Sequence, residues 1–240
     1  MMNDFLGKTA LITGASSGLG EGYALELAKR GANVILVARR TDRLRELSDR
    51  INAEYGVKAS SVLPIDLSAR DAATSLARMI KGRGMQIDIL INNAGVLTHK
   101  PLAQTTLEDF QSVYAVNVFG PALLMGLWAP KMGKQGHVVN ISSMGGIQGS
   151  AKFAGLAAYS SSKGALITLT ELLAEEYKET GPHFNALALG AVDTEMLQQA
   201  FPGYQAQTTP DEMAAYVLQF ALNSGSLLNG KVIQVSNSTP

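Results

Sequence analysis

The sequence predicts an α/β domain built on a doubly wound, seven-stranded parallel sheet with helices on both faces. Three observations carry that reading. Short aliphatic, β-branched runs alternate with segments of helical period along nearly the whole chain. The first such run flows into the glycine-rich turn Gly14-Ala15-Ser16-Ser17-Gly18-Leu19-Gly20 and then into a helical pattern. Finally, Gly14, Arg39, Asp66, Asn93 and Ser143 all fall at the carboxyl ends of predicted strands, where open parallel sheets bind their ligands.

At 240 residues and 46% hydrophobic content the chain can bury a full core, and one domain over residues 1–240 is expected. Twenty basic and twenty acidic residues cancel, so neither nucleic acid nor an anionic membrane surface is an expected partner. The sequence has no cysteine, which excludes disulfides, thiolate metal sites and a cysteine nucleophile. His99, His137 and His183 lack ligand-like spacing. They read as surface or loop residues, and no metal is expected. Residues 1–8 lack the apolar core of a signal peptide. Apolar stretches such as 121–130 fall short of the roughly 18 residues of a membrane span, so no span and a cytoplasmic location are expected.

Taken in order, residues 8–13 form the first strand, and the helix after the turn carries Tyr23, Ala24, Leu27 and Ala28 inward. The glycines allow a tight turn and close approach of a ligand, and the free N–H groups of a helix start favour a phosphate. Residues 33–38 form the second strand, which ends at Arg39 and Arg40. In dinucleotide folds an acid here bonds the ribose 2′-hydroxyl, whereas an arginine accommodates a 2′-phosphate. NADP(H) is therefore favoured, with NAD(H) possible. A pair of solvated loop charges is the plain alternative. Asp42, beside Thr41, reads as a helix starter.

A helix over 42–55 presents Leu44, Leu47 and Ile51. Residues 59–65 form a third strand ending at Asp66-Leu67, and a helix over 69–81 closes in Gly82-Arg83-Gly84. A fourth strand, 87–91, runs into Asn92-Asn93-Ala94-Gly95. Residues 106–132 form a long helical region with a Gly120-Pro121 step able to bend it. Within it Asn117 stands among apolar neighbours and needs partners. It is either a structural amide or part of a functional network. The fifth strand, 137–141, ends at Ser142-Ser143.

The next helix carries Tyr159 and Lys163, then Leu166, Leu169, Leu172 and Leu173. Residues four apart on a helix lie on one face, roughly 5–6 Å apart at Cβ. An ammonium held there favours the phenolate of a group that otherwise titrates near about 10. A phenol tuned in this way can exchange a proton with a carbonyl or alcohol oxygen. The sixth and seventh strands fall at 184–189 and 231–235, around an amphipathic packing helix over 210–222. Residues 191–209 read as a substrate lid. Met196, Leu197, Phe201 and Tyr204 on it suggest a modest, partly apolar substrate.

With these pieces in order the chain resembles the short-chain dehydrogenase/reductase family, whose domain is of the Rossmann type. The matching elements are Thr13-Gly14-x-x-x-Gly18-x-Gly20, Asn92-Asn93-Ala94-Gly95, Asn117, Ser143 and Tyr159-x-x-x-Lys163. The resemblance implies that Tyr159 is the general acid/base and that Ser143 holds the substrate oxygen. Lys163 lowers the tyrosine pKa and binds the nicotinamide ribose, and Asn117 helps place a water that links Lys163 to solvent. Cofactor contacts fall to Gly14, Ser16, Ser17, Gly18, Leu19 and Gly20 of the turn, to Arg39 and Arg40, and to Asp66 and Leu67. Asn93, Ala94, Gly95, Val192 and Thr194 complete them. The implied reaction interconverts a carbonyl compound and an alcohol, and a homotetramer or dimer is implied as well. The alternatives are a cofactor-binding regulatory or structural protein and an imine reductase or epimerase of the same family. The intact Ser–Tyr–Lys set argues against a pure binder.

Three departures stand out. Tyr159 follows Ser143 by sixteen positions, more than the family's usual spacing. The glycine-rich insertion either shapes the pocket, with Phe153 as a wall, or is a surface loop. Leu189-Gly190 stands where the family has Pro-Gly, and the tail 236–240 lacks the usual glycine pair.

Overall fold

The computed structural model describes residues 4–56, 60–82, 84–223 and 227–236. Strands β1 (Thr9–Thr13), β2 (Asn33–Ala38), β3 (Ser60–Pro64), β4 (Ile89–Asn92), β5 (His137–Ser143), β6 (His183–Leu189) and β7 (Lys231–Val235) pair in the order β3-β2-β1-β4-β5-β6-β7. Every pairing is parallel. The helices are α1 (Gly18–Lys29), α2 (Thr41–Tyr55), α3 (Ala72–Lys81), α4 (Leu107–Tyr114), α5 (Gly120–Met132), α6 (Ala157–Glu176), α7 (Glu195–Ala200) and α8 (Pro210–Asn223). Strand order reverses between β1 and β4, which opens a crevice at their carboxyl ends.

The strands read as continuous apolar runs because side chains of both parities are buried. Ala10, Ile12, Val34, Leu36, Ile89 and Ile91 enter one core layer with Tyr23 and Leu27 of α1, Leu44 of α2 and Val217 of α8. Leu11, Ile35, Val37, Leu90 and Val138 enter the other with Leu76 of α3, Trp128 of α5 and Leu166 of α6. Each Val, Leu or Ile among them contributes about 1.5–3 kcal/mol on burial, and that term decides the two-faced architecture.

Several boundaries differ from the sequence reading, each for a local reason. Ala59, proposed as the start of the third strand, lies outside the described residues, as do Arg83 of the breaker run and tail residues 237–240. β5 runs on to Ser143 because β6 pairs with it through Leu189. α3 starts at Ala72 after a turn in which Ala72 N–H donates to the Ala69 carbonyl. α2 starts at Thr41 with no side-chain cap, and Asp42 stands in its first turn, complementing the helix dipole. In the long helical region Thr106 is the N-cap in a reciprocal capping box with Asp109. The irregularity falls one step before Gly120-Pro121, as a π-helical turn over Ala115–Phe119. The helical run Leu107–Met132 spans 26 residues and by length and composition could cross a membrane. It instead lays Leu124, Met125 and Trp128 into the second core layer.

His137 is not a surface residue. It is buried in β5, its Nδ1 is 3.0 Å from the Ala221 carbonyl oxygen and its Nε2 is 3.0 Å from Asn185 Nδ2. Desolvation pushes its pKa down to about 4. His183 sits beside it in register on β6.

Candidate active site

A cleft of about 550 Å³ opens along the carboxyl ends of the strands. Of the candidate residues named from sequence, all but Gly20 and Asn117 line it. Gly20 lies behind the turn: a Cβ there would stand 2.2 Å from the Gly14 carbonyl oxygen, so only glycine lets α1 start so close to β1. Gly14 has φ +69°, and a Cβ on it would meet Ala94 Cα and Asn93 Nδ2, both at 2.9 Å. Thr13 locks the two loops together. Its Oγ1 accepts from the N–H groups of Asn93 and Ala94, 3.0 Å each, and Asn93 Nδ2 donates to the Thr13 carbonyl at 3.1 Å.

Ser17 is the N-cap of α1, yet its side chain makes no capping bond. The first N–H groups of the helix are thus left to an anion from the cleft. Above them, Arg40 donates to Ser16 Oγ (3.1 and 3.2 Å) and Ser17 Oγ (2.5 Å) and pairs with Glu195 at 3.4 Å. Glu195 also pairs with Arg43, whose hydrogen bond, followed by its charge, holds the carboxyl below its ordinary value. Arg39 faces Asp66 instead. Partial burial pushes the Asp66 carboxyl up, but bonds from Ser68 N–H (2.9 Å) and Oγ (2.7 Å), together with the Arg39 charge, leave it lowered. Thr194 caps α7 by accepting from Leu197 N–H at 3.3 Å, and its methyl lies over Gly18.

At the other end of the cleft Ser143 hydrogen-bonds Tyr159, and Lys163 Nζ lies 5.7 Å from the Tyr159 ring centroid. The expected depression of the phenol is not found. Desolvation raises the Tyr159 pKa, and the Ser143 bond offsets only part of it. The same burial lowers Lys163 to about 8. The reason is geometric: Lys163 points its ammonium at the Ile141 carbonyl (2.8 Å) and meets only the ring of the tyrosine.

Asn117 is fully buried on the π turn. Its Oδ1 accepts from Val96 N–H (2.8 Å), and its Nδ2 donates to the Val96 carbonyl (3.0 Å) and Ser162 Oγ (2.9 Å). Both amide hydrogens are used and one Oδ1 lone pair remains. It ties the segment after β4 to the first turns of α6, which carry Tyr159 and Lys163. Leu189 serves two ends, lining the cleft and filling the first core layer.

His99, read from sequence as a surface or loop residue, is exposed, but its ring also bridges the lid and the long loop. Sequence reasoning passed over Leu156, which lines the cleft. Neither lies in a motif or at a strand end.

Fold and site together define an oxidoreductase on a Rossmann-type sheet. The sequence profile of the short chain dehydrogenase family matches residues 8–205, and the chain belongs to that family. A 3-oxoacyl-acyl-carrier-protein reductase of Aquifex aeolicus is 33% identical over 96% of both chains. A short chain dehydrogenase of Burkholderia cenocepacia, solved in complex with NADP, superposes with a TM-score of 0.87 at 28% identity, covering 98% of this chain and 99% of the other. A 3-ketoacyl-(acyl-carrier-protein) reductase of Brucella melitensis, complexed with NADH, gives 0.82 at 27% identity over 96% and 97%.

Proposed function

We propose that the protein is an NADP(H)-dependent oxidoreductase interconverting a carbonyl compound and a primary or secondary alcohol. One observation carries the reading: the Ser143–Tyr159–Lys163 set and the uncapped α1 terminus with its two arginines line opposite ends of one cleft. The cleft fits a dinucleotide. The α1 N–H groups suit a pyrophosphate, Arg39 and Arg40 a 2′-phosphate, and Asp66 and Leu67 an adenine. Asn93, Ala94 and Gly95 form the floor, with Val192 and Thr194 at the nicotinamide end. Bound there, the nicotinamide supplies or accepts the hydride.

Tyr159, its pKa raised, keeps its proton at neutral pH and gives it to the carbonyl oxygen as charge develops there. Ser143 Oγ, held near by Gly145 N–H at 3.2 Å, donates to the same oxygen. Lys163, charged below about pH 8, stabilises the phenolate left behind. Asn117 holds α6, through Ser162, against the segment after β4 and offers its remaining lone pair to a water on the proton path. Phe119 and Leu123, four apart and both exposed, with exposed Leu172 on α6, support self-association into a dimer or tetramer.

The test is a panel of ketones and aldehydes, including a 3-oxoacyl thioester because of the Aquifex relative's substrate, with NADPH and NADH. Tyr159→Phe is expected to keep NADPH affinity and lose about 10²–10⁴-fold in turnover. Unchanged turnover sinks the assignment. Arg39→Asp is expected to shift preference toward NADH, measured as the ratio of the two Kd values, and an unmoved ratio removes Arg39 from cofactor choice.

A further inference from the structure

We infer, on the basis of the function proposed above, that the substrate is an uncharged carbonyl compound with a compact apolar body, such as an aryl or cyclic ketone. The charged residues lining the cleft are Arg39, Arg40, Asp66, Glu195 and Lys163. The first four cluster around the glycine turn and engage Ser16, Ser17, Ser68 or one another. Lys163 is committed to the Ile141 carbonyl. Beyond Tyr159 the walls are Phe153 and Leu156 from the long loop, Leu97, and Met196, Leu197 and Phe201 from the lid. Phe153 and Phe201 stand with ring centroids 5.9 Å apart. A substrate carboxylate, phosphate or ammonium there would shed water and gain no counter-charge. A polyhydroxylated chain would trade water for few hydroxyls, those of Ser143, Tyr159, Ser160 and Tyr204, in a wall otherwise largely apolar.

The measurement compares kcat/KM for aryl and cyclic ketones with 2-oxo acids and ketoses of matched size. In parallel, unreactive amide or carboxylate analogues of the same bodies are titrated into the NADPH-loaded enzyme, read by quenching of cofactor fluorescence. The apolar ketones are expected to lead by about a hundredfold. Phe201→Ala is expected to raise KM for an aryl ketone about tenfold while leaving that for propanone unchanged. Preference for a 2-oxo acid or ketose, or tighter binding of the carboxylate analogue, overturns the inference. If no carbonyl compound is turned over, the proposed function fails, and the binding arm still decides the chemistry of the pocket.

An independent observation points to His99 as the positioning residue of this pocket. Its Nδ1 lies 2.9 Å from the Ala200 carbonyl oxygen on the lid helix and its Nε2 3.2 Å from the Ala154 carbonyl oxygen on the long loop. The ring stands 5.0 Å from that of Phe201 and lies so flat on Gly155 that a Cβ there would be 2.4 Å from it. Both partners are carbonyls, which only accept. A ring N–H can serve either carbonyl according to the tautomer, so the ring spans lid and loop. The nearby charges are committed elsewhere. Lys100 pairs with Asp109, Lys152 donates to Ile147 and Ser150, Asp193 accepts from Gln198, and Glu195 pairs with Arg40 and Arg43. We propose that His99 latches α7 to the loop and so closes the substrate wall.

His99→Phe keeps a ring against Phe201 but loses the hydrogen bonds to both carbonyls. It is expected to raise KM for a bulky substrate about fivefold with kcat little changed, and to quicken amide exchange over 195–204. His99→Gln, which restores an N–H donor, is expected to recover part of both effects. A His99→Phe variant with wild-type KM and exchange overturns the latch, as does a His99→Gln variant no better than His99→Phe.

Discussion

At the scale of single residues the decisive quantity is the charge state of Lys163. The ordinary lysine value of 10.5 is lowered by burial to about 8, so in the free enzyme the ammonium is present below that pH and lost above it. If, as proposed above, that charge stabilises the phenolate left by Tyr159, kcat/KM for carbonyl reduction is expected to be flat below about pH 8 and to fall toward tenfold per unit above it. A pH profile of kcat/KM with saturating NADPH checks this, and a profile that rises through pH 8 contradicts it. That Tyr159 and Lys163 share one face of a helix was legible in the sequence because four-residue spacing on a helix is a local fact. Their pKa values were not. Those depend on which carbonyl the lysine reaches and how much water the cleft admits, and Ile141 is twenty-two positions away.

At the scale of elements, the glycine turn and the π turn do the positioning. Gly20 is needed because the Gly14 carbonyl occupies the place of its Cβ. Gly20→Ala is expected to displace α1 from β1, costing about 1–3 kcal/mol of stability and weakening NADPH binding more than tenfold. Thermal unfolding and cofactor titration measure both effects, and a variant that binds normally shows that the turn has room to relax. The motif spelled this turn plainly. It did not reveal that Ser17 leaves the helix uncapped while Arg40 lies over the hydroxyls beside it. The bend was placed at Gly120-Pro121 on composition, whereas the structure puts a π turn at Ala115–Phe119. Asn117 accounts for the difference: three bonds to Val96 and Ser162 require its amide to face inward, and the extra residue in the turn supplies that rotation. Histidines are the counter-case, since nothing in spacing tells the buried His137 from the exposed His99 that bridges lid and loop.

For the whole molecule, alternation of apolar strands and amphipathic helices made a parallel sheet covered on both faces legible, while the strand order came from the structure. What the alternation leaves open is the outer surface of the helices. Leu107, Phe119, Leu123 and Leu172 are large, apolar and exposed on α4, the π turn, α5 and α6, the same layer whose inner side holds Asn117 and Tyr159. Exposure of several such side chains on adjoining helices is costly for an isolated monomer and favours a copy of the chain as cover. A double change, Leu123→Glu with Leu172→Glu, is expected to shift the mass measured by sedimentation toward the monomer. Because Ser162 and Lys163 lie on the buried side of the same α6, the monomer is further expected to keep NADPH affinity while losing several-fold in kcat, as the helix carrying Tyr159 gains freedom to move. A wild-type chain that sediments as a monomer removes both expectations together.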